Sequence, residues 1–335
     1  MPDSARSPLL YALPRLLTLL ALLLSAVPMA RSDPLGVTRT EGRTRLIVTR
    51  HIVDPEQPAR RRFGELRLLG SWRLRSADAR LGGISAMAAQ DGGLLALSDT
   101  GTVMHIGLAG GVPATLRLHG LPAGPGSAAR KFDRDSEALV RDQSGRTWVA
   151  FEQHHEVWRY APGFARAEAS REIVRPRKWR MNGGVEAMAR LQDGRFVMFS
   201  EGRAGPGRTS DLLIYPGDPT APDAKPRVLA YLPPGPLQPT EAAVLGDGRL
   251  LVLHRHISFG KGVWAMLGVV DPRALEGTGP VRPRVLALWR PQATIDNMEA
   301  LAVAREDGRE VIWAASDDGF NQLQRTVLLK FAFAR

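Results

Sequence analysis

The chain contains no cysteine at any of its 335 positions. That excludes disulfide bridges, thiolate zinc sites, thiol nucleophiles and a lipidated-cysteine anchor. Aromatic residues are sparse at 6%, with only 4 tyrosines. After the N-terminus there is no apolar run long enough to cross a bilayer. The motifs G-x-S-x-G, H-E-x-x-H, the P-loop and the dinucleotide fingerprint are absent, which argues against the chemistries those loops support. Ser258-Phe-Gly-Lys261 matches S-x-x-K, but in a Gly-containing loop without the helix that this chemistry needs.

Plenty remains to make a folded domain: 44% hydrophobic and 24% charged residues, with 34 Gly and 25 Pro to make turns. Arg6 and Arg15 precede the apolar stretch Leu16 to Val27, and Ala30-Arg31-Ser32 supplies small residues for cleavage. Residues 1–32 are therefore expected to be a signal peptide, 33–62 an N-terminal extension and 63–335 the folded domain, in a periplasmic or secreted protein with no membrane contact after cleavage. Losing residues 1–32 lowers the net charge by two, from +11. A basic surface attracts anionic polymers or phosphorylated small molecules. No helix-turn-helix, zinc-finger or RNA-binding motif is visible, so nucleic acid is not an expected partner. A monomer acting on a small anionic or phosphorylated substrate is.

One pattern recurs. GGISAMAAQDGGLLALSDTG begins at Gly82, DSEALVRDQSGRTWVAFEQ at Asp135 and NGGVEAMARLQDGRFVMFSEG at Asn182. PTEAAVLGDGRLLVLHRH follows at Pro239, and DNMEALAVAREDGREVIWAASDDG at Asp296. Each copy is two apolar runs about a DG, GG or SG turn, a hairpin signal. Read as equivalents, Ser85, Glu137, Glu186, Glu241 and Glu299 are spaced by 52, 49, 55 and 58 residues. Two further strand-like runs follow most hairpins. Four short strands per repeat predict an all-β fold, a β-propeller of four-stranded antiparallel blades, five in number with six as the alternative. The last repeat lacks its fourth strand, and Gly64–Arg75 resembles one, so an N-terminal strand is expected to close the ring. RLIVTRHIV (residues 45–53) is the candidate for an irregular sixth blade.

In a propeller the first strand of each blade lines the channel, and the second ends beside the first one's start. Asp99, Glu152, Glu201, His254 and Asp317 end the second strands, so both sets should meet at one mouth. Crowded carboxylates need a positive neighbour. A hard cation, Ca²⁺ above all, or arginine would serve. Glu137, Glu186, Glu241, Glu299, Asp99 and Asp317 are the candidate metal ligands. Glu186, Asp317 and His254 are the candidate catalytic groups. Arg134, Arg203, Arg255 and Arg325 are the candidates for a substrate phosphate, since cation and arginine together suit phosphoryl transfer.

The E-A-h-h starts, SDTG after the first hairpin and the closing SDDGFNQLQRTVLLKF resemble the phytase-like family (esterase-like activity of phytase). The resemblance runs from about Phe63 to Phe331. It implies a secreted bacterial propeller related in name to calcium-dependent phosphoric ester hydrolases, and it adds Asp318, of the SDDG motif, to the candidate metal ligands. Ser85 in the first repeat and His254 in the fourth depart from the acidic pattern. A calcium-dependent lactonase or esterase, and a non-catalytic envelope binding protein, are the alternatives.

Overall fold

The computed structural model describes residues 42–181, 183–201, 209–258, 260, 262–321 and 323–334. Residues 1–32, the expected signal peptide, lie outside them. Five antiparallel sheets stand in a ring, with no α-helix among the described residues. Blade 1 is Ile84–Gln90, Gly93–Ser98, Thr102–Ala109 and Val112–Gly120; blade 2 is Ser136–Arg141, Thr147–Phe151, Glu156–Tyr160 and Ala167–Glu172. Blade 3 is Val185–Arg190, Phe196–Ser200, Ser210–Tyr215 and Arg227–Tyr231; blade 4 is Gln238–Val244, Leu250–Ser258, Gly262–Val270 and Arg284–Trp289. Blade 5 takes Asn297–Glu306, Arg309–Asp317 and Val327–Phe333 from the C-terminus. Its fourth strand is Leu66–Ser76, paired antiparallel with Val327–Phe333 as the sequence predicts. Pairing the two chain ends leaves neither as an open edge within the ring. Leu46–Arg50 adds a further strand to blade 5, and Gly42–Thr44 one to blade 1, so residues 45–53 form no sixth blade.

Alternation explains why the sheets stack. In FVMFS (Phe196–Ser200), Phe196 and Met198 pack towards blade 2, whereas Val197 and Phe199 pack towards blade 4. Side chains alternate across a strand, and here both faces are covered. The five hydrophobic clusters of the molecule are the five blade-to-blade interfaces. The glycine that closes each hairpin turn, Gly92, Gly145, Gly194, Gly248 or Gly308, has φ between 71° and 92°. That is the left-handed region, where a side chain would be strained.

Each inner strand carries a β-bulge near its start. The bulge falls at Ser85, Glu137, Glu186, Thr240 and Glu299. The true counterpart of the repeated glutamate in blade 4 is therefore Thr240, not Glu241. Counting back from the turn gives the same answer: Thr240 precedes Asp247 by as many residues as Glu186 precedes Asp193. At the two non-acidic bulges a hydroxyl bonds across to the next blade. Ser85 donates to the carbonyl of Ser136 at 2.5 Å, and Thr240 to that of Met298 at 3.3 Å.

Glu241 is one residue further in and 0% exposed. Its Oε1 accepts from the backbone N–H of Ala242 at 2.9 Å and of Met188 at 3.4 Å, and the N–H groups of Met87 and Leu139 also point at the carboxyl. These four are equivalent positions on blades 4, 3, 1 and 2. Inner strands leave such N–H groups without a ladder partner, and the carboxyl stands among them, Oε1 taking two of them while Oε2 is buried with no hydrogen-bond partner. The matching positions Ala86, Ala138, Ala187 and Ala300 are buried alanines, which leave it room. Glu241 thus plugs the channel and does not reach the mouth as a ligand. Burial pushes its pKa well up, against those hydrogen bonds.

Glu241→Ala should destabilise the fold by roughly 3 kcal/mol, because buried donors lose their acceptor. Glu241→Gln should stay close to the parent. Urea unfolding of both variants checks this, and a parental midpoint for the alanine variant would refute the plug.

Candidate functional site: a carboxylate mouth

Above the plug, inner-strand starts and second-strand ends converge. Gly184 opens blade 3 here, and a Cβ on it would lie 2.8 Å from Cγ and 2.9 Å from Cα of Glu152. Only glycine lets blade 3 approach Glu152 so closely. Ligand atoms of Asp135, Glu137 and Glu152 lie within 4.8 Å of one another. Among the described residues this is the acidic group with metal-site spacing. Gln153 Nε2 donates to Asp135 Oδ2 at 2.9 Å and to Glu152 Oε2 at 3.1 Å. Asp135 precedes Glu137 by two positions and joins it at the mouth. The alternation of the strand could have revealed it from the sequence, as it could Asn297, whose Nδ2 donates to Glu299 Oε1 at 2.9 Å.

Further acids surround the group. Burial, with Glu152 and Glu201 beside it, pushes Glu186 well above the usual carboxylate range, although Arg255 opposes this. Glu137 is raised by burial and by Glu186 and Glu299. Glu152 is pushed up to about 7 by burial and by Asp135, opposed by a hydrogen bond from Glu186. Asp317 is raised by burial and by Glu299 and Asp99. Asp99 is lifted to about 6 by burial, opposed by Lys131.

Two cations answer these charges. Lys131 Nζ lies 2.8 Å from Asp99 Oδ2 and 3.0 Å from Asp135 Oδ1. Burial works against its charge, but the two aspartates keep it protonated beyond the usual lysine range. Arg255 Nη2 pairs with Glu299 Oε1 at 3.0 Å, and Glu186, Glu137 and Asp317 also favour its charge. Its Nε is buried without a partner. Lys131, Asp135 and Gln153 went unrecognised as site residues in the sequence, since none belongs to the repeated acidic position.

The other expected residues lie elsewhere. His254 is 0% exposed, bonded through Nε2 to the Tyr231 hydroxyl at 2.8 Å, and burial drops its pKa to about 3. It faces blade 3, whereas Arg255 beside it faces blade 5, as strand alternation requires. Neither a proton shuttle nor a metal ligand fits that position. Arg134 is buried, with Nη1 donating to the carbonyls of Pro125 and Asp133, so it holds a loop and is not open to a phosphate. Both oxygens of Asp318 are committed: Oδ1 accepts from the N–H of Gly83 and Phe320, and Oδ2 from the Thr326 hydroxyl. Asp318 therefore clasps blade 5 to the entry of blade 1. Arg325 is exposed, and its backbone N–H donates to Asp296 Oδ2 at 3.1 Å. Arg203 lies outside the described residues.

With this geometry in place, comparison with known proteins decides the family. The sequence profile of the phytase-like family, described as esterase-like activity of phytase, matches residues 79–320. The chain belongs to that family. Among curated protein sequences none matches. Among solved structures, the endo-arabinase of Bacteroides thetaiotaomicron aligns with a TM-score of 0.50 at 9% identity, over 77% of this chain and 96% of its own. A glutaminyl cyclase from Myxococcus xanthus aligns at 0.46 and 11%, over 81% and 97%. A putative gluconolactonase aligns at 0.46 and 14%, over 91% and 99%. Identities this low speak to the fold alone. Among the described residues no helix is long and apolar enough to cross a membrane.

The raised acids fix a pH dependence. A carboxyl with a folded pKa above its unfolded value contributes stability that is complete below the unfolded value and lost as pH rises through the folded one. In chelator, the melting midpoint of this phytase-like protein should therefore fall between about pH 5 and pH 8, as Asp99 at about 6 and Glu152 at about 7 lose protons. A midpoint that rises across this window would contradict the assignment.

Proposed function

We propose that this protein is a secreted hydrolase of phosphoric esters, using a hard divalent cation, Ca²⁺ in the first instance, at the carboxylate mouth. The observation that carries the reading is the convergence of Asp135, Glu137 and Glu152 from one blade beside the arginine of another. Three carboxylates with no nitrogen or sulfur ligand suit an oxygen-seeking ion. Asp135, Glu137 and Glu152 would hold the cation, with Glu186, Glu299, Asp99 and Asp317 around them. When bound, the cation would polarise the ester oxygen and make water a better nucleophile.

The remaining roles fall to groups of this chain. Arg255 retains an unpartnered Nε among the acids, and it would meet the charge that builds on the phosphoryl oxygens. Burial raises the Glu186 carboxyl well above the usual carboxylate range, and it would hand a proton to the leaving oxygen as water attacks phosphorus and the ester P–O bond breaks. The apolar stretch of residues 16–27 supports export, and a small anionic substrate suits the basic chain.

One observation favours a second reading, a carboxylic ester or lactone as substrate. Of the four arginines expected to clamp phosphate, Arg255 alone faces the acidic mouth among the described residues, and it is paired with Glu299. A heavily phosphorylated substrate would meet little free positive charge there.

Turnover of 4-nitrophenyl phosphate and of a γ-lactone, each with Ca²⁺, separates the readings. Glu137→Gln and Glu152→Gln should each lower kcat by about a hundredfold or more while the proteins stay folded. Hydrolysis of the lactone alone would select the second reading. Undiminished turnover in both variants would remove these residues from the site.

A further inference from the structure

Beside the mouth, between blades 2 and 3, lies a pocket of about 800 Å³. The segment from Arg171 to Met181, which leaves the outer strand of blade 2 and leads towards blade 3, forms one wall, and Gln153 and His155 form the other. Its lining contains four cations, Arg171, Arg175, Arg177 and Lys178, against one acid, Glu172. Some of that charge is spent. Arg177 pairs with Asp211 at 2.7 Å, Arg175 with the well-exposed Glu172, and Arg171 donates to the carbonyl of Ala221. The excess is still positive, and Lys178 is exposed. The same walls carry Ile173, Val174, Trp179 and Met181, of which Val174 and Met181 are exposed hydrophobics at 42% and 62%.

A second feature points to a ligand. His155 is 94% buried, its Nδ1 has no hydrogen-bond partner, and its ring packs edge-on to Trp179 at 5.8 Å. It stands in the left-handed region, φ 49°, in the turn after Glu152. A buried imidazole nitrogen without a partner is costly unless something meets it. His155 lines this pocket, so the unpartnered nitrogen lies within its wall.

The structure assigns to this pocket, we propose, the recognition of an organic anion: a phosphate or carboxylate drawn by Lys178 and Arg175, with its carbon body against Val174, Trp179 and Met181. Gln153 belongs to both places, bonded to Asp135 and Glu152 and lining the pocket. A substrate seated here would extend its ester past Gln153 to the carboxylates. The inference rests on the proposed hydrolytic site for its catalytic meaning, but the binding itself does not need a cation.

Calorimetric titration with phenyl phosphate, in chelator so that no divalent ion contributes, tests it. The parent should bind, and inorganic phosphate should bind more weakly because it lacks the carbon body. Arg175→Glu with Lys178→Glu should weaken phenyl phosphate at least tenfold with an unchanged melting midpoint. No binding by the parent, or equal binding by the double variant, would overturn the pocket. Binding that survives in chelator while no ester is turned over with any divalent ion would keep the pocket and reject only the hydrolase.

Discussion

Carboxylates gathered in a mouth poor in water repel one another and resist ionisation, and every feature around them answers that difficulty. Some resist ionisation, as Glu186 does, its pKa raised well above the usual carboxylate range by burial and by Glu152. Some meet lysine: Asp99 and Asp135 share the Lys131 ammonium. Glu299 meets Arg255. What remains, Asp135 with Glu137 and Glu152, has an amide from Gln153 and one side of a lysine for company. A divalent cation of the kind proposed would add to that compensation.

The propeller puts this cluster where it is by repetition and then breaks the repetition. All five inner strands bulge at one level, which turns the same side chain out of the ladder in each blade. Blades 2, 3 and 5 place glutamate there, while blades 1 and 4 place hydroxyls that tie neighbouring blades together. Blade 4 then contributes what the others lack, a glutamate one step deeper and an arginine at the mouth. The deep glutamate accepts from the N–H groups of Ala242 and Met188 inside the channel, below the carboxylate mouth.

The architecture was readable because a propeller writes itself into sequence as period and alternation. Hairpin glycines, apolar runs and the orphan strand at residues 64–75 predict five blades and the closure that the pairing of Leu66–Ser76 with Val327–Phe333 displays. Register was harder. Thr240-Glu241 reads as the fourth copy of an acidic position until the residues to the turn are counted, because a bulge shifts the face without leaving a mark in composition. His254 ends a second strand as Asp99 and Asp317 do, but the alternation of one residue sends it into the interface with blade 3. Arg134 stands near Glu137 in sequence and Asp318 belongs to the SDDG motif, but the loops that consume their hydrogen bonds leave no mark there. Lys131 and Gln153 lie in connections, where the repeat gives no guide.

The most direct test of this account is the melting midpoint of the protein without residues 1–32, at neutral pH in Ca²⁺ and in chelator. A cation held only by the folded state stabilises it by mass action, by about 2.7 kcal/mol at a hundred times the dissociation constant. The account predicts a clear rise with Ca²⁺ that Glu137→Gln and Glu152→Gln abolish. An identical midpoint with Ca²⁺, with other divalent ions and with chelator would mean that Lys131, Arg255 and bound protons neutralise the mouth unaided, and the cation site would be contradicted.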